Sequence, residues 1–537
     1  MQTMKLVKPE ERYRFSELLC MFKAWAAMGA TGVVALIFGL LTVVYFQDLI
    51  TMVIHKELEM KNGSEPLELY LEPPVEPITK VYFFNLTNAE KTLSGDIPIL
   101  EEVGPYVYRE KWEKVVDKFD DKNKTVTFRL KTIKYFMPRE SAGKEDDIIM
   151  TVNVPMMAAV YKLKYGSSMM RVALSSMFTT ILKVEPFMPF KVGDLLWGYD
   201  DPLLRMAKDI MPPGQTPPFD KFGFLYDSNG TSKENLTTYT GVGDIARKGL
   251  IKDFDGMTQL PFWAEDSCNA IHGSDGSAFP PDIDTSKTLY IFNPKFCRAM
   301  PLVYDGDVFH DGIRTARMTP PEDAFDVAQP DNACFCLDPP DCAPKGLFNI
   351  SACQFGSPVY MSWPHFYQGE KKLLQQVQGL SPEKEKHQFY VDLEPKLGLP
   401  LSVQARLQVN IQLQSIWEVK GTRNMRNTTF PILWMESGIE KMPQFVHDKV
   451  HQAIEMPEVV EAAATYTLFI VGLVLVIVVG AFFVHKKVAI TKRTPKIDTS
   501  TSTTTFDGLI HTGGVTDTNS TNKLSTNGQH KNGNGTA

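Results

Sequence analysis

The run AWAAMGATGVVALIFGLLTVVYF at residues 24–46 and its counterpart AAATYTLFIVGLVLVIVVGAFFV at residues 462–484 decide the architecture of this chain. Each holds 23 residues and no charge. A helix rising about 1.5 Å per residue carries such a run across a hydrocarbon core about 30 Å thick. Nothing comparable lies between them, so the sequence predicts one large domain tethered to a bilayer at both ends.

The flanks of the two runs give the orientation. Lys5, Lys8, Arg12, Arg14 and Lys23 precede the first, and His485, Lys486, Lys487, Lys492, Arg493 and Lys496 follow the second. The inner flanks are acidic, with Asp48 on one side and Glu455, Glu458 and Glu461 on the other. Lys and Arg resist translocation, so both termini are expected in the cytosol. A cleaved signal peptide is the competing reading of the first run. Signal cores span about 7–15 residues before a small-residue cleavage site. This run is longer, follows a 23-residue leader and has no such site, so an uncleaved anchor is expected.

The intervening domain carries marks of an oxidising, glycosylating compartment. Asn62, Asn85, Asn123, Asn229, Asn235, Asn349 and Asn427 each open an Asn-x-Ser/Thr triplet and are candidate glycosylation sites. Two further triplets, at Asn519 and Asn534, fall in the cytosolic tail, where the topology leaves them unmodified. Six cysteines, Cys268, Cys297, Cys334, Cys336, Cys342 and Cys353, cluster within 86 residues, and Cys20 stands apart on the cytosolic side. An even set outside the cytosol reads as three disulfides with fifteen pairings open. A zinc site fits less well, because Cys334-x-Cys336 lacks the paired CxxC spacing of zinc ribbons.

The segments are therefore a head at 1–23, a span at 24–46, a glycosylated ectodomain at 47–461, a span at 462–484 and a tail at 485–537. Hydrophobic residues make up 43% of the chain, enough for a large core, and a net charge of −7 gives no basis for nucleic-acid binding. From 497 to 537 the tail has fifteen Ser/Thr, six Gly and five Asn, almost nothing to bury, and is expected to be disordered. Its Asp507-Gly508-Leu509-Ile510 places the acid too close to the leucine for a sorting dileucine.

Within the ectodomain, Arg406, Gln408, Asn410, Gln412 and Gln414 alternate with Leu407, Val409, Ile411 and Leu413. Period two predicts a half-buried strand. Val126, Phe128 and Leu130 alternate with polar residues in the same way, and the turn-rich segments 214–220 and 331–344 fit strands joined by irregular loops. Residues 154–191 differ. They are helix-friendly and hold Met156, Met157, Met169, Met170, Met177 and Met188, with Lys162, Lys164, Arg171, Lys183 and Lys191 against the single acid Glu185. Methionine adapts to varied apolar partners and the local positive charge attracts anions. A helical bundle with a Met core and solvated Lys is the plainer alternative.

No constellation points to catalysis, a cofactor or a metal. Gly241-Val242-Gly243-Asp244-Ile245-Ala246 fits the loose dinucleotide fingerprint, but a sequon stands just upstream and Gly249 ends any following helix early, so it reads as a turn. His272, Ser274 and Asp275 are adjacent in sequence with no nucleophile elbow around the serine. His310 with Asp305, Asp307 and Asp311 reads as a turn with solvated acids, and His365 between Pro364 and Phe366 as a packed histidine.

Short motifs through the whole domain then become specific. They are Val81-Tyr82-Phe83-Phe84-Asn85-Leu86-Thr87-Asn88, Glu102-Val103-Gly104-Pro105-Tyr106, Leu195-Leu196-Trp197-Gly198-Tyr199, Pro364-His365-Phe366, Asp392-Leu393-Glu394-Pro395, Arg406-Leu407-Gln408-Val409-Asn410 and Pro431-Ile432-Leu433-Trp434. In this order they resemble the class B scavenger receptor family from the first span to the second. The resemblance implies an α+β ectodomain, an irregular antiparallel β-barrel crowned by a membrane-distal helical bundle, with a hydrophobic tunnel towards the bilayer. It implies the pairings Cys268–Cys334, Cys297–Cys353 and Cys336–Cys342. It places residues 154–212 in the apical bundle, so that Lys162, Lys164, Arg171, Lys183, Lys191, Met169 and Met170 become candidate ligand-binding residues, Lys183 lying close to a lysine that members use for anionic lipids.

Some members carry paired cytosolic cysteines for lipidation, whereas only Cys20 is available here; a lysosomal member ends in a dileucine signal, which this tail lacks. The expected protein is a plasma-membrane or endocytic receptor, with endosomal or lysosomal membranes as the alternative. It would bind lipids, lipoproteins or anionic lipid particles and pass lipid down the tunnel to the membrane. The alternative is a recognition or sorting receptor for protein, microbial or apoptotic-cell ligands. Homo-oligomerisation stays open.

Overall fold

The structure, a computed structural model, describes residues 9–210, 220–439 and 442–491. The tail expected to be disordered, with its two triplets and its Asp507–Ile510 motif, lies outside those residues. So do Lys5, Lys8, Lys492, Arg493, Lys496 and most of segment 214–220.

Two long helices carry the apolar runs: α1, Pro9–Glu57, and a helix at Gln444–Thr491. Both are long and apolar enough to cross a membrane. The described residues divide into two compact units, one within 35–470 and the other made of the outer segments 9–34 with 471–491. In the outer unit the helices pack directly. Trp25 stacks on Phe482 with centroids 4.0 Å apart, and Phe22 meets Phe483 edge-on at 5.6 Å. A Cβ added at Gly32 would stand 3.0 Å from Leu475 Cβ and 3.1 Å from the Gly472 carbonyl. Without a side chain there, the two backbones approach closely enough for dispersion contact, the main attraction available between helices in lipid.

The unit of residues 35–470 is built on strands. In chain order these are β1 Ile78–Leu86, β2 Leu100–Asp120, β3 Thr125–Phe136, β4 Ile148–Val152, β5 Phe187–Lys191, β6 Gly230–Thr231, β7 Leu236–Tyr239 and β8 Ile251–Phe254. They continue with β9 Leu289–Asn293, β10 Arg298–His310, β11 Ile313–Thr319, β12 Phe348–Asn349, β13 Val359–Ser362, β14 Tyr390–Glu394, β15 Leu399–Leu413 and β16 Thr428–Ile439. The main sheet runs β8-β7-β3-β2-β1-β16-β15-β14-β11-β10-β9, all antiparallel, while β4 and β5 pair separately. Its two ends are stitched at Ser274: Ile251 N–H donates to Gly273 O at 2.8 Å, and Ser274 N–H and Phe292 N–H complete bonds to β9 at 2.9 Å each. The sheet is thus a nearly closed barrel, which leaves few strand edges unpaired.

Local chemistry explains the turns. Asp120 caps the β2–β3 turn by accepting Asn123 N–H at 2.9 Å, and Lys124 takes the left-handed conformation that reverses the chain. Gly104, in the Glu-Val-Gly-Pro-Tyr motif, has φ +142° and would place a Cβ 2.7 Å from the Val81 carbonyl, so only glycine fits against β1.

Register defines one continuous face. Val409, Leu407 and Ala405 of β15 stand opposite Leu433, Met435 and Ser437 of β16. These stand opposite Phe83, Val81 and Thr79 of β1, and Val81 and Thr79 opposite Tyr106 and Tyr108 of β2. The same face continues through Glu110 and Lys114 of β2 to Phe136 and Lys134 of β3. Lys114 reaches Asp275, beside the stitch that closes the barrel, at 3.0 Å. A contact across non-neighbouring strands runs through the inside of a ring, so this is the inner face.

β15 corrects the simplest reading of its alternation. Gln404, Arg406, Gln408 and Asn410 are the buried residues, while Val403, Ala405, Leu407 and Val409 are only half-buried. The outer, polar face is sealed because Arg406, Gln408 and Asn410 find polar partners there. Arg406 bonds Glu436 at 2.6 Å and the Glu385 and Gln388 carbonyls, Gln408 accepts His365 N–H at 2.7 Å, and Asn410 donates to Tyr360 O. Burial without a partner costs several kcal/mol, a cost these three side chains avoid.

Disulfides join Cys268 to Cys334, Cys297 to Cys353 and Cys336 to Cys342, leaving Cys20 free and exposed. The first two border the cluster of Trp263, Phe335, Phe348 and Phe325. The segment expected to be helical from 154 to 212 is interrupted. α4 Val154–Lys162, α5 Ser168–Ser176, α6 Val192–Trp197 and α7 Pro202–Ile210 are helices, but Phe187–Lys191 forms strand β5 against β4. Pro186 and Pro189 explain the interruption, since a proline inside a helix removes a backbone donor and clashes with the preceding turn. α2 Glu65–Leu71 and α3 Ala89–Leu93 lie outside this region.

Candidate functional site

Helices α4 and α5 begin at capped ends: Asn153 accepts Met156 N–H at 3.1 Å and Ser167 accepts Met170 N–H at 3.3 Å. Their inner side joins the core through Met156, Met157, Val160 and Phe178. α5 then widens into a π-helical turn, Met177–Leu182, that stops at Lys183 in the left-handed conformation. This geometry leaves large apolar side chains in water: Met169 is 82% exposed, and Tyr165 and Ile181 are 73% each. Exposed apolar groups clustered this way mark an interaction surface more often than chance. The six methionines divide accordingly, Met156 and Met157 in the core, Met177 and Met188 half-buried, Met169 and Met170 outside.

The five cations divide as well. Lys162, Lys164 and Lys183 are exposed; among the described residues Lys162 and Lys183 form no ion pair, and Lys164 lies 5.1 Å from the Tyr165 ring. Arg171 instead braces the bundle. It donates to the Leu163 and Lys164 carbonyls at 3.2 and 2.8 Å and pairs with Glu418 at 3.3 Å. Lys191 sits on β5 and pairs with Asp146 at 2.9 Å, which raises its pKa through the hydrogen bond.

The partner loop at 414–427 was not singled out from sequence. Lys420 N–H donates to Ser175 Oγ at 2.8 Å, and with the Arg171–Glu418 pair this fixes the loop against α5. It adds Trp417, 69% exposed, with the Arg423 guanidinium 4.7 Å from its ring and donating to its carbonyl at 2.7 Å. Trp and Arg in a rigid arrangement are frequent binding anchors. The only signal in the sequence was a tryptophan among basic residues just beyond the alternating strand.

The titratable clusters elsewhere are structural. Ser381 N–H donates to His365 Nδ1 at 3.0 Å, so the imidazole proton sits on Nε2 and is donated to Glu102 at 2.6 Å. Burial opposes the Glu102 charge, but hydrogen bonds from His365 and the Trp434 indole outweigh it and lower its pKa. His387 stacks on His365 at 4.4 Å, and burial, then the neighbouring His365, push it down to about 4. His310 is not a loose turn residue: it pairs with buried Asp392 at 2.8 Å, which Arg317 also grips. His272, Ser274 and Asp275 point to separate partners, namely the Ala270 and Ala278 carbonyls and Lys114. Residues 241–246 form a turn that leads only into a short 3-10 segment, Ile245–Arg247. Among the described residues no three His, Cys, Asp or Glu side chains converge as a metal site.

On the inner face, a polar belt adjoins the apolar residues. Glu110 accepts from Thr79 at 2.6 Å and from the Trp112 indole at 2.7 Å, and pairs with Lys134; Thr79 Oγ1, its one proton given to Glu110, accepts from the Ser437 hydroxyl at 2.9 Å.

Comparison with known proteins matches the CD36 family profile over residues 30–483. Scavenger receptor class B member 1 of Bos taurus is 30% identical over 455 residues, covering 84% of this chain and 88% of that protein. Lysosome membrane protein 2 of Rattus norvegicus is 32% identical over 395 residues, 73% and 81% of the two chains. The Mus musculus class B member 1 receptor is 31% identical over 463 residues, again 84% and 88%.

Proposed function

The chain belongs to the CD36 family of scavenger receptors, and from that premise we propose that it docks lipid or lipoprotein particles on the α4–α5 surface and passes lipid along the inner face of the barrel to the membrane. The observation that carries this reading is the α4–α5 surface itself. Met169, Tyr165, Ile181 and Trp417 stand exposed on this segment and on the loop fixed to α5, with Lys162 and Lys183 exposed on the same segment and, among the described residues, in no ion pair. Charge draws an anionic particle in, and flexible apolar side chains then enter its lipid surface. The half-buried row Val403, Ala405, Leu407 and Val409 supplies an apolar lining for the onward path. Transfer down it needs no nucleotide, since an apolar lining spares each methylene the cost of about 0.8 kcal/mol that exposure to water would carry.

In this reading both termini face the cytosol, the domain works at the cell surface or in endocytic membranes, and the exposed sequons carry glycans. Mass spectrometry of lipids that co-purify with the full chain tests it: enriched single- or double-chain lipids are expected, and a lipid-free protein that also ignores anionic vesicles would sink it.

A second reading rests on Trp417 with Arg423, a pair suited equally to a protein partner. It predicts that Lys162→Glu with Lys183→Glu leaves anionic particle binding intact while a protein ligand is lost.

A further inference from the structure

The first apolar run ends at Phe46 and the second begins at Ala462. Just beyond those ends, the two long helices and the foot of the barrel enclose a cavity of about 100 Å³, room for several water-sized groups. Ile50, Ile54, Ile454 and Pro457 give it an apolar wall, and His55, Asp282, Lys396 and Glu458 a polar one. Gln47 also borders it, one residue past the first run, and Glu458 stands four residues before the second. At about 1.5 Å per residue both fall within the headgroup layer, about 5–7 Å deep on each side of a bilayer.

The charged groups of this cavity are paired in the open. His55 Nε2 meets Asp282 at 2.7 Å, and Lys396 meets Glu458 at 3.2 Å. Asp282, Lys396 and Glu458 are exposed, and exposed pairs contribute little, so they reopen readily for another ion. The backbone beneath them is fixed. Ile283 N–H donates to the Pro395 carbonyl at 2.9 Å, and Glu394 accepts the N–H groups of Lys396 at 3.2 Å and Leu397 at 2.7 Å.

Pro457 adds an acceptor. It stands inside the helix Gln444–Thr491 and has no N–H to give the carbonyl of Ala453 four residues back, and Ala453 borders the same cavity. A carbonyl freed in this way calls for a donor from outside the helical ladder. Two carboxylates and a carbonyl together match the three N–H donors of a primary ammonium, and the Lys396 ammonium matches a phosphate beside it.

We propose that this cavity holds the head group of a phosphatidylethanolamine from the adjoining leaflet. Its amine lies against the Ala453 carbonyl, Asp282 and Glu458, its phosphate on Lys396, and both acyl chains stay in the bilayer. A choline head carries the same charges but has no N–H to donate, and a glycerol head has no ammonium. The site therefore selects one class of lipid at the foot of the barrel. It needs no cargo on the α4–α5 surface and no path through the barrel, so it stands or falls apart from the proposed function.

The test places the full chain in bilayers of equal parts phosphatidylcholine, phosphatidylethanolamine and phosphatidylglycerol with identical acyl chains. Lipids retained after transfer to mild detergent are then counted by native mass spectrometry. Wild-type protein should keep phosphatidylethanolamine about tenfold over either of the others, the scale of a hydrogen bond from a charged donor. Pro457→Ala returns an N–H to the Ala453 carbonyl with a residue that favours a helix, and should bring phosphatidylethanolamine down towards the phosphatidylcholine level. Lys396→Gln, at an exposed position, should instead lower all three lipids together, since each carries the phosphate. Wild-type protein that keeps phosphatidylethanolamine no better than phosphatidylcholine, or phosphatidylglycerol equally well, overturns the site. So does an excess undiminished in Pro457→Ala, or retention unchanged in Lys396→Gln.

Discussion

Replacing Lys162 and Lys183 by serine separates docking from folding when set against Arg171→Met. Both lysines are exposed, and among the described residues neither forms an ion pair, so their loss should leave stability unchanged. A basic side chain near an anionic lipid surface contributes about 1 kcal/mol, so the double substitution should weaken binding by about 2 kcal/mol, roughly 30-fold. The difference should shrink in high salt as the Debye length falls below the approach distance. Arg171 behaves oppositely. It holds two carbonyls of the preceding turn and Glu418 across the loop, and at 24% side-chain exposure its bonds are partly screened. Its removal should cost about 1–2 kcal/mol of local stability. The assay is vesicle flotation with phosphatidylcholine alone or mixed with phosphatidylserine, alongside hydrogen exchange over residues 163–182. Faster exchange in Arg171→Met with lysine-to-serine protein unchanged is expected. If Arg171→Met leaves exchange unaltered and alone abolishes vesicle binding, the division into bracing and docking cations is wrong.

Three further outcomes follow from the packing. His387 is held neutral by burial, with its folded pKa below the unfolded value of about 6.5, so the unfolded chain takes up the proton first. Stability is therefore full above that pH and falls as pH drops towards about 4, by on the order of 2 kcal/mol; His387→Phe should flatten this slope in denaturant titrations. Removing the Cys297–Cys353 bridge, which spans 56 residues, should destabilise the domain by about 4 kcal/mol on the chain-entropy estimate, measured by urea midpoint, against about 2 for Cys336–Cys342. Gly32→Ile should weaken helix pairing by about 1–3 kcal/mol in mixed-micelle unfolding, because its Cβ already meets Leu475 Cβ at 3.0 Å.

The sequence carried the spans plainly, because a bilayer imposes a length and an absence of charge that no soluble helix needs. It carried β15 as a strand but not its facing. Gln408 and Asn410 are buried by partners from residues 360–365, which alternation alone does not reveal. The disulfide pairing came only through resemblance, since spacing left every combination open. Arg171 and Lys191 looked like part of a free basic surface because their acids, Glu418 and Asp146, are distant in sequence. Trp417 and Arg423 were passed over for the same reason: their place beside α5 depends on a contact bridging 245 residues, from Lys420 to Ser175.

If cargo docks at one site and its lipid leaves by another, narrowing the path separates the two steps. Ala405→Trp and Leu407→Trp each add bulk to the half-buried inner row, far in sequence from α5. Particle binding and lipid transfer into proteoliposomes would be measured on the same preparations, with a fluorescent phospholipid in the donor particle. Transfer should fall by tenfold or more while particle affinity stays within about twofold, a difference below 0.5 kcal/mol. Binding and transfer lost together, or transfer undiminished, would contradict a path through the barrel.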